Sequence, residues 1–117
     1  METFDGIGQW ALASFGPGKP LACYAKLAEE FGEVARPLQK QQYDKAIYEL
    51  ADMVIVLSHM AASLGLDLQR AVDEKMAVNR ARTWTRTPDG TYIHVEAKPI
   101  PKADVGSATD NQVGQVG

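Results

Sequence analysis

From residue 4 to about residue 82 the apolar side chains recur every three or four positions, the period of helices rather than the two-residue alternation of strands. Three breaks cut this pattern into four blocks. Phe4, Ile7, Trp10 (or Ala11) and Ser14/Phe15 form a short amphipathic helix despite Gly6 and Gly8, and Gly16-Pro17-Gly18 stops it. A second helix starts at Pro20, whose missing N–H costs nothing in a first turn, and carries Leu21, Tyr24, Leu27, Phe31 and Val34 on one stripe. Pro37 is expected to end or kink it, with Gln39 to Gln42 as the connection. A third helix, Tyr43 to Leu64, is the most apolar, with Ala46, Ile47, Leu50, Met53, Val54 and Leu57 as its stripe. It is therefore expected at the centre, and Gly65 suits its left-handed end. Asp67 reads as the N-cap of a fourth helix, Leu68 to about Arg82, with Leu68, Ala71, Val72, Lys75, Met76 and Asn79 on its stripe.

Past Trp84 the period changes. Thr85-Arg86-Thr87, a Pro88-Asp89-Gly90 turn and Thr91 to Val95 predict a short β-hairpin. From Lys98 the chain holds Pro99, Pro101 and a Gly/Asn/Gln/Ser-rich end, the composition of a mobile tail. The expectation is an all-α bundle of about four helices with a C-terminal hairpin, one domain over 1–97 and a tail over 98–117. A chain of 117 residues buries a smaller share of its surface than a larger one, so oligomerisation is expected from size.

The net charge of −3 argues against a nucleic-acid duplex as partner, since such binders concentrate basic side chains against phosphates. Cys23 is the single cysteine, so no intramolecular disulfide can form, and its apolar neighbours point to a buried thiol. The N-terminus carries acids and no apolar run, and the longest unbroken apolar stretch is Met53 to Leu57, which predicts no membrane span and a cytoplasmic protein.

The chemistry lies in two acidic motifs. Glu29-Glu30-Phe31-Gly32-Glu33 sits on the second helix and Glu49-Leu50-Ala51-Asp52 on the third. At about 100° per residue, Glu30 and Glu33 lie roughly 60° apart around the axis and one turn apart along it, and Glu49 and Asp52 repeat that spacing. If the two helices pack antiparallel, four carboxylates converge beside apolar stripes. A solvated acidic face paired to Lys26 and Arg36 explains the first motif alone. It does not explain two motifs facing inward, because unpaired carboxylates near an apolar seam repel one another and are costly to desolvate. A cation removes that cost. Oxygen-only ligation without His or Cys suits magnesium or manganese, and magnesium commonly shares its carboxylates with substrate phosphates, which points to a nucleotide or another polyphosphate.

Glu-Glu-x-x-Glu followed by Glu-x-x-Asp on the next helix resembles the MazG-like family of all-α nucleoside triphosphate pyrophosphohydrolases. The resemblance runs from about residue 20 to 84, through Lys26-Leu27, Gly65-Leu66-Asp67, Lys75, Asn79 and Arg82. It implies a MazG-like bundle shared between chains, as a homodimer or homotetramer, and magnesium-dependent hydrolysis, with manganese as a possible substitute, to a nucleoside monophosphate and pyrophosphate. It implies Glu30, Glu33, Glu49 and Asp52 as metal ligands, with Glu29 helping to bind a further ion or orient the attacking water. Lys75, Asn79 and Arg82 recur at i, i+4 and i+7, one helix face, and the resemblance assigns them to phosphates and sugar, with Lys26 as a weaker candidate. Trp10, then Trp84, are the aromatic candidates for stacking on a base. His59 reads as a core or interface histidine.

Similarity to small phage-encoded members implies a purine deoxynucleotide, dGTP or dATP. Two competing readings remain: phosphoribosyl-ATP pyrophosphohydrolase, which shares bundle and chemistry, and a non-catalytic helical interaction protein with solvated acids. A di-iron carboxylate bundle is excluded, because no Glu is followed by His three residues later.

Overall fold

The computed structural model describes residues 1–95. Its elements are α1 (Phe4–Phe15), α2 (Pro20–Gln39), α3 (Tyr43–Ser63), α4 (Leu68–Ala81), β1 (Thr83–Arg86) and β2 (Tyr92–Val95). They divide into two compact units, Met1–Ala77 and the chain from Val78 onward.

In the first unit α1 and α2 both pack on α3, the central position its apolar sequence predicts. α1 is capped by Thr3, whose hydroxyl accepts from the Gly6 N–H at 2.9 Å, and it ends at Gly16 with φ 76°. Gly8 sets the closeness of the α1–α3 crossing. A Cβ there would lie 2.8 Å from both the Ser58 carbonyl oxygen and the Ala62 methyl. The buried side chains around this crossing and along α2 are small: Ala11, Cys23, Val34, Ala46 and Ser58.

α2 runs on past Pro37, so of the two effects expected there, an end or a kink, the end is not seen. Pro37 stands two residues from the last helical residue, Gln39, where the one backbone bond it removes interrupts no further turns. The stop comes from Gln41, left-handed at φ 57°, with Gln42 N–H donating to Pro37 O at 2.8 Å and Gln41 N–H to Leu38 O at 3.1 Å. This is a Schellman closure with glutamine in the place glycine usually takes. Gly65, φ 70°, closes α3 the same way, with Leu66 N–H to Ala61 O and Gly65 N–H to Ala62 O.

The stripes of α2 and α3 are broader than the contact between them. Tyr24 and Phe31 on α2 and Ile47, Leu50, Val54 and Leu57 on α3 are exposed, Phe31 by 68%. α3 is long and apolar enough to cross a membrane by length and composition, with only 11% of that stretch buried; two helices pack against it and it carries Glu49 and Asp52. Asp67 caps α4 as expected, its carboxylate accepting from Arg70 N–H at 3.0 Å. The apolar stripe expected along α4 is not buried: no α4 residue is, among the described residues.

In the second unit the hairpin pairs Thr83 with Val95, Trp84 with His94, Thr85 with Ile93 and Arg86 with Tyr92. Its turn is tied by Asp89, whose carboxylate accepts from the Thr87 hydroxyl and from the Thr91 hydroxyl and N–H, and by Gly90 at φ 95°. The expected tail, 98–117, lies outside the described residues.

Candidate functional site

The packing of α2 on α3 brings Glu30, Glu49 and Asp52 together, and one carboxylate oxygen from each lies within 4.8 Å of the others. Glu30 comes from the face of α2 that buries Val34 one turn on, and is itself only 8% exposed. Glu49 is half-buried and Asp52 exposed. The sequence expectation of an inward acidic group therefore holds for Glu30 and Glu49, while Asp52 approaches from the solvent side.

The electrostatics of this cluster are those of crowded acids with one cation, Lys26, paired to Glu30. Burial first, and then the charges of Glu33, Glu30 and Asp52, hold the Glu49 carboxyl above the usual range for a glutamate. Glu33 is exposed, and although its charge is felt at Glu49 it is not one of the three converging groups. Glu29 is exposed and turned to Lys26, with Nζ 3.6 Å from its carboxylate. The same ammonium lies 3.3 Å from Glu30, and this hydrogen bond, followed by the charges of Glu29 and Glu30, raises the Lys26 pKa. Lys26 remains a cation at any neutral pH.

Beside the cluster a mainly apolar cavity of about 320 Å³ opens where α1, α2 and α3 meet, lined by Phe15, Cys23, Lys26, Ile55, Val56 and His59 among others. Lys26 joins the two, since it lines the cavity and pairs with Glu30. Trp10 does not line the cavity: it is 56% exposed and meets Phe15 edge-on, ring centroids 5.4 Å apart. Phe15 in turn meets the His59 ring at 5.9 Å. A larger cavity, about 610 Å³, lies between α1 and the start of α4. Its wall includes Asp5, Ala61 and Asp67 but none of the clustered acids.

Lys75 belongs to the first unit and is exposed; Asn79 and Arg82 belong to the second. Asn79 is half-buried and its carbonyl accepts the Trp84 indole N–H at 2.8 Å, so Trp84 is held on the hairpin, its ring also meeting Tyr92 and His94. Sequence reasoning found the acids because their period is local. It missed the cavity, whose walls come from three helices, although the Gly16-Pro17-Gly18 break before α2 was the available signal.

Residues 19–85 match the MazG nucleotide pyrophosphohydrolase domain family. A dATP/dGTP diphosphohydrolase of cyanophage S-2L is 35% identical over 83 residues, 71% of this chain and 75% of that protein. A dATP/dGTP diphosphohydrolase of Salmonella phage PMBT28 is 41% identical over 70 residues, 55% of this chain but only 24% of that longer protein. Among solved structures, the cyanophage S-2L MazG-like pyrophosphohydrolase, bound to dGDP and three catalytic Mn2+ ions per active site, superposes with a TM-score of 0.57 at 31% identity, covering 80% of this chain and 90% of that one. The chain is thus a helical nucleotide pyrophosphohydrolase by its fold and its relatives. It belongs to the MazG nucleotide pyrophosphohydrolase family.

Proposed function

We propose that this chain hydrolyses a purine deoxynucleoside triphosphate, dATP or dGTP, between the α and β phosphates, releasing the monophosphate and pyrophosphate. The observation that carries the reading is the convergence of Glu30, Glu49 and Asp52 directly beside an apolar cavity of nucleobase scale. The named substrates of the two phage relatives and the dGDP in the S-2L structure support the choice of purine.

The donor set fits a hard divalent ion: carboxylate oxygens only, crowded enough that one of them resists ionisation. Glu30, Glu49 and Asp52 would hold magnesium or manganese, and Glu33 would join them by a side-chain rotation on its exposed turn. When bound, the ion polarises water and neutralises charge on the phosphates. Glu29, paired to Lys26 at 3.6 Å, is the proposed residue to orient a water. Lys26 is a cation at the mouth of the cavity, suited to a phosphate once an ion takes over Glu30. Lys75, Asn79 and Arg82 remain the proposed contacts to phosphate and sugar, and Trp10 contributes to the base site by fixing Phe15.

The exposed stripes of α2 and α3 support a homodimer or homotetramer in which a second copy covers Phe31, Ile47 and Leu50. The buried, unpaired Cys23 is compatible with a reducing cytoplasm, that of the host where the gene is carried by a phage. The test is incubation of the wild type with each ribo- and deoxyribonucleoside triphosphate and magnesium or manganese, reading products by phosphorus NMR. Monophosphate plus pyrophosphate, fastest from dATP or dGTP, is expected. Diphosphate plus orthophosphate, or no cleavage of any triphosphate, would refute the reading.

A further inference from the structure

His59 is the one strongly polar side chain that α3 contributes to the wall of the apolar cavity. Its Nε2 lies 2.8 Å from the carbonyl oxygen of Gly16. A carbonyl can only accept, so this bond fixes the proton on Nε2 and leaves Nδ1 of the neutral ring a bare acceptor. Among the described residues no donor meets Nδ1. The ring is held rather than loose: Phe15 packs against it, and Ser63, which accepts from Gly18 N–H at 2.8 Å, donates to the His59 carbonyl at 2.7 Å. Gly18 keeps the Nδ1 edge open, since a Cβ at that position would lie 3.1 Å from His59 Cε1 and 3.4 Å from Nδ1. An oriented acceptor without a protein donor, in a mainly apolar cavity, is available to a ligand N–H.

The distance suits a nucleotide. Asp52 and His59 are seven residues apart on α3, about two turns or ~10 Å along the axis. That is the span from the edge of a purine to its α and β phosphates when the phosphates meet the acids.

We infer that His59 reads the substrate base, its Nδ1 accepting an N–H from the exocyclic amino group of a purine seated in the cavity beside the His59 ring. The inference rests on the activity proposed above and adds a specificity-determining residue to it. It explains chemically how one site could take both adenine and guanine: each carries an exocyclic amino group, and the acceptor asks for that group rather than for the whole ring pattern.

Two substrate pairs test this on the wild-type protein: dATP against the triphosphate of purine deoxyriboside, which lacks the 6-amino group, and dGTP against dITP, which lacks the 2-amino group. At least one pair should differ tenfold or more in kcat/KM, because a site built to bond a polar group rejects the analogue without it. His59→Gln is the decisive variant. The glutamine amide can still donate to Gly16 O but offers no acceptor at the Nδ1 position, so a merely structural histidine would be rescued by it. The expected result is a ratio within about twofold of one in His59→Gln and in His59→Ala, with the His59→Gln melting temperature unchanged. Wild-type ratios near one for both pairs, or ratios preserved in His59→Gln, would overturn the inference. Calorimetric binding of the matching nucleoside diphosphates reads the same discrimination without turnover. An inactive chain that still discriminates would sink the activity alone, and an active chain that does not would sink the role of His59 alone.

Discussion

Gly18→Ala tests the packing that shapes the cavity. The added Cβ would lie 2.6 Å from the buried sulfur of Cys23 and 3.1 Å from His59 Cε1. Ordinary contact begins near 3.4 Å, so the sulfur or the loop must move by most of an ångström, and Cys23, only 6% exposed, has little room to do so. Overpacking of this kind costs about 1–3 kcal/mol. Replacing a loop glycine whose backbone alanine can also adopt returns roughly 0.4–1 kcal/mol by restricting the unfolded chain. The net expectation is a loss of about 1–2 kcal/mol, a fall in Tm on the order of 3–10 °C for a chain of this size. Cys23→Ala removes the clashing sulfur, so in the double variant the cost of Gly18→Ala should largely vanish, with a coupling energy of about 1–2 kcal/mol. Urea unfolding of the four proteins in the cycle measures it. Additive losses, or a Gly18→Ala protein as stable as wild type, would show that residue 18 does not press on Cys23.

Asp52→Asn should lower pyrophosphate release at least a hundredfold and abolish the rise in Tm that magnesium gives the wild type, because loss of a mere outer partner of a metal site already costs 10–100-fold. Asp67→Ala removes the carboxylate that accepts from Arg70 N–H and should cost about 1 kcal/mol in chemical denaturation, the usual worth of a helix N-cap. The Asp89 carboxyl is held below its ordinary value by the Thr87 hydroxyl first and the Thr91 N–H and hydroxyl next. Its contribution to the hairpin is therefore present above the ordinary aspartate value of 3.8 and is lost as pH falls through the lower folded value, which the amide shifts of Thr87 and Thr91 should report; Asp89→Asn should remove that dependence.

Features set by neighbours along the chain were legible before the structure. The four helices, the Asp67 cap, the Gly65 stop and the hairpin turn each depend on residues within one or two turns of one another. The acids were legible for the same reason, and their convergence followed from a short α2–α3 connection. What was not legible depends on the angle at which helices meet. Glu33 shares the period of Glu30 but falls outside the three converging carboxylates, and periodicity does not distinguish a buried from a rim position one turn away. That α2 runs past Pro37 was not legible, because a local rule about proline says nothing of a left-handed glutamine four residues on. The stripe on α4 marks a surface for burial without saying what buries it. His59 was read as a core or interface histidine; the open Nδ1 edge depends on Gly16 and Gly18, more than forty positions away.

The most direct test of the account is pyrophosphate release from dATP and dGTP as magnesium or manganese is titrated, with wild type, Glu49→Gln and Asp52→Asn compared at matched folded concentration. The account predicts metal-saturable release of pyrophosphate and the monophosphate by the wild type and its loss in both variants while each stays folded. Undiminished release in either folded variant would contradict it, because the converging carboxylates could then not be the catalytic centre.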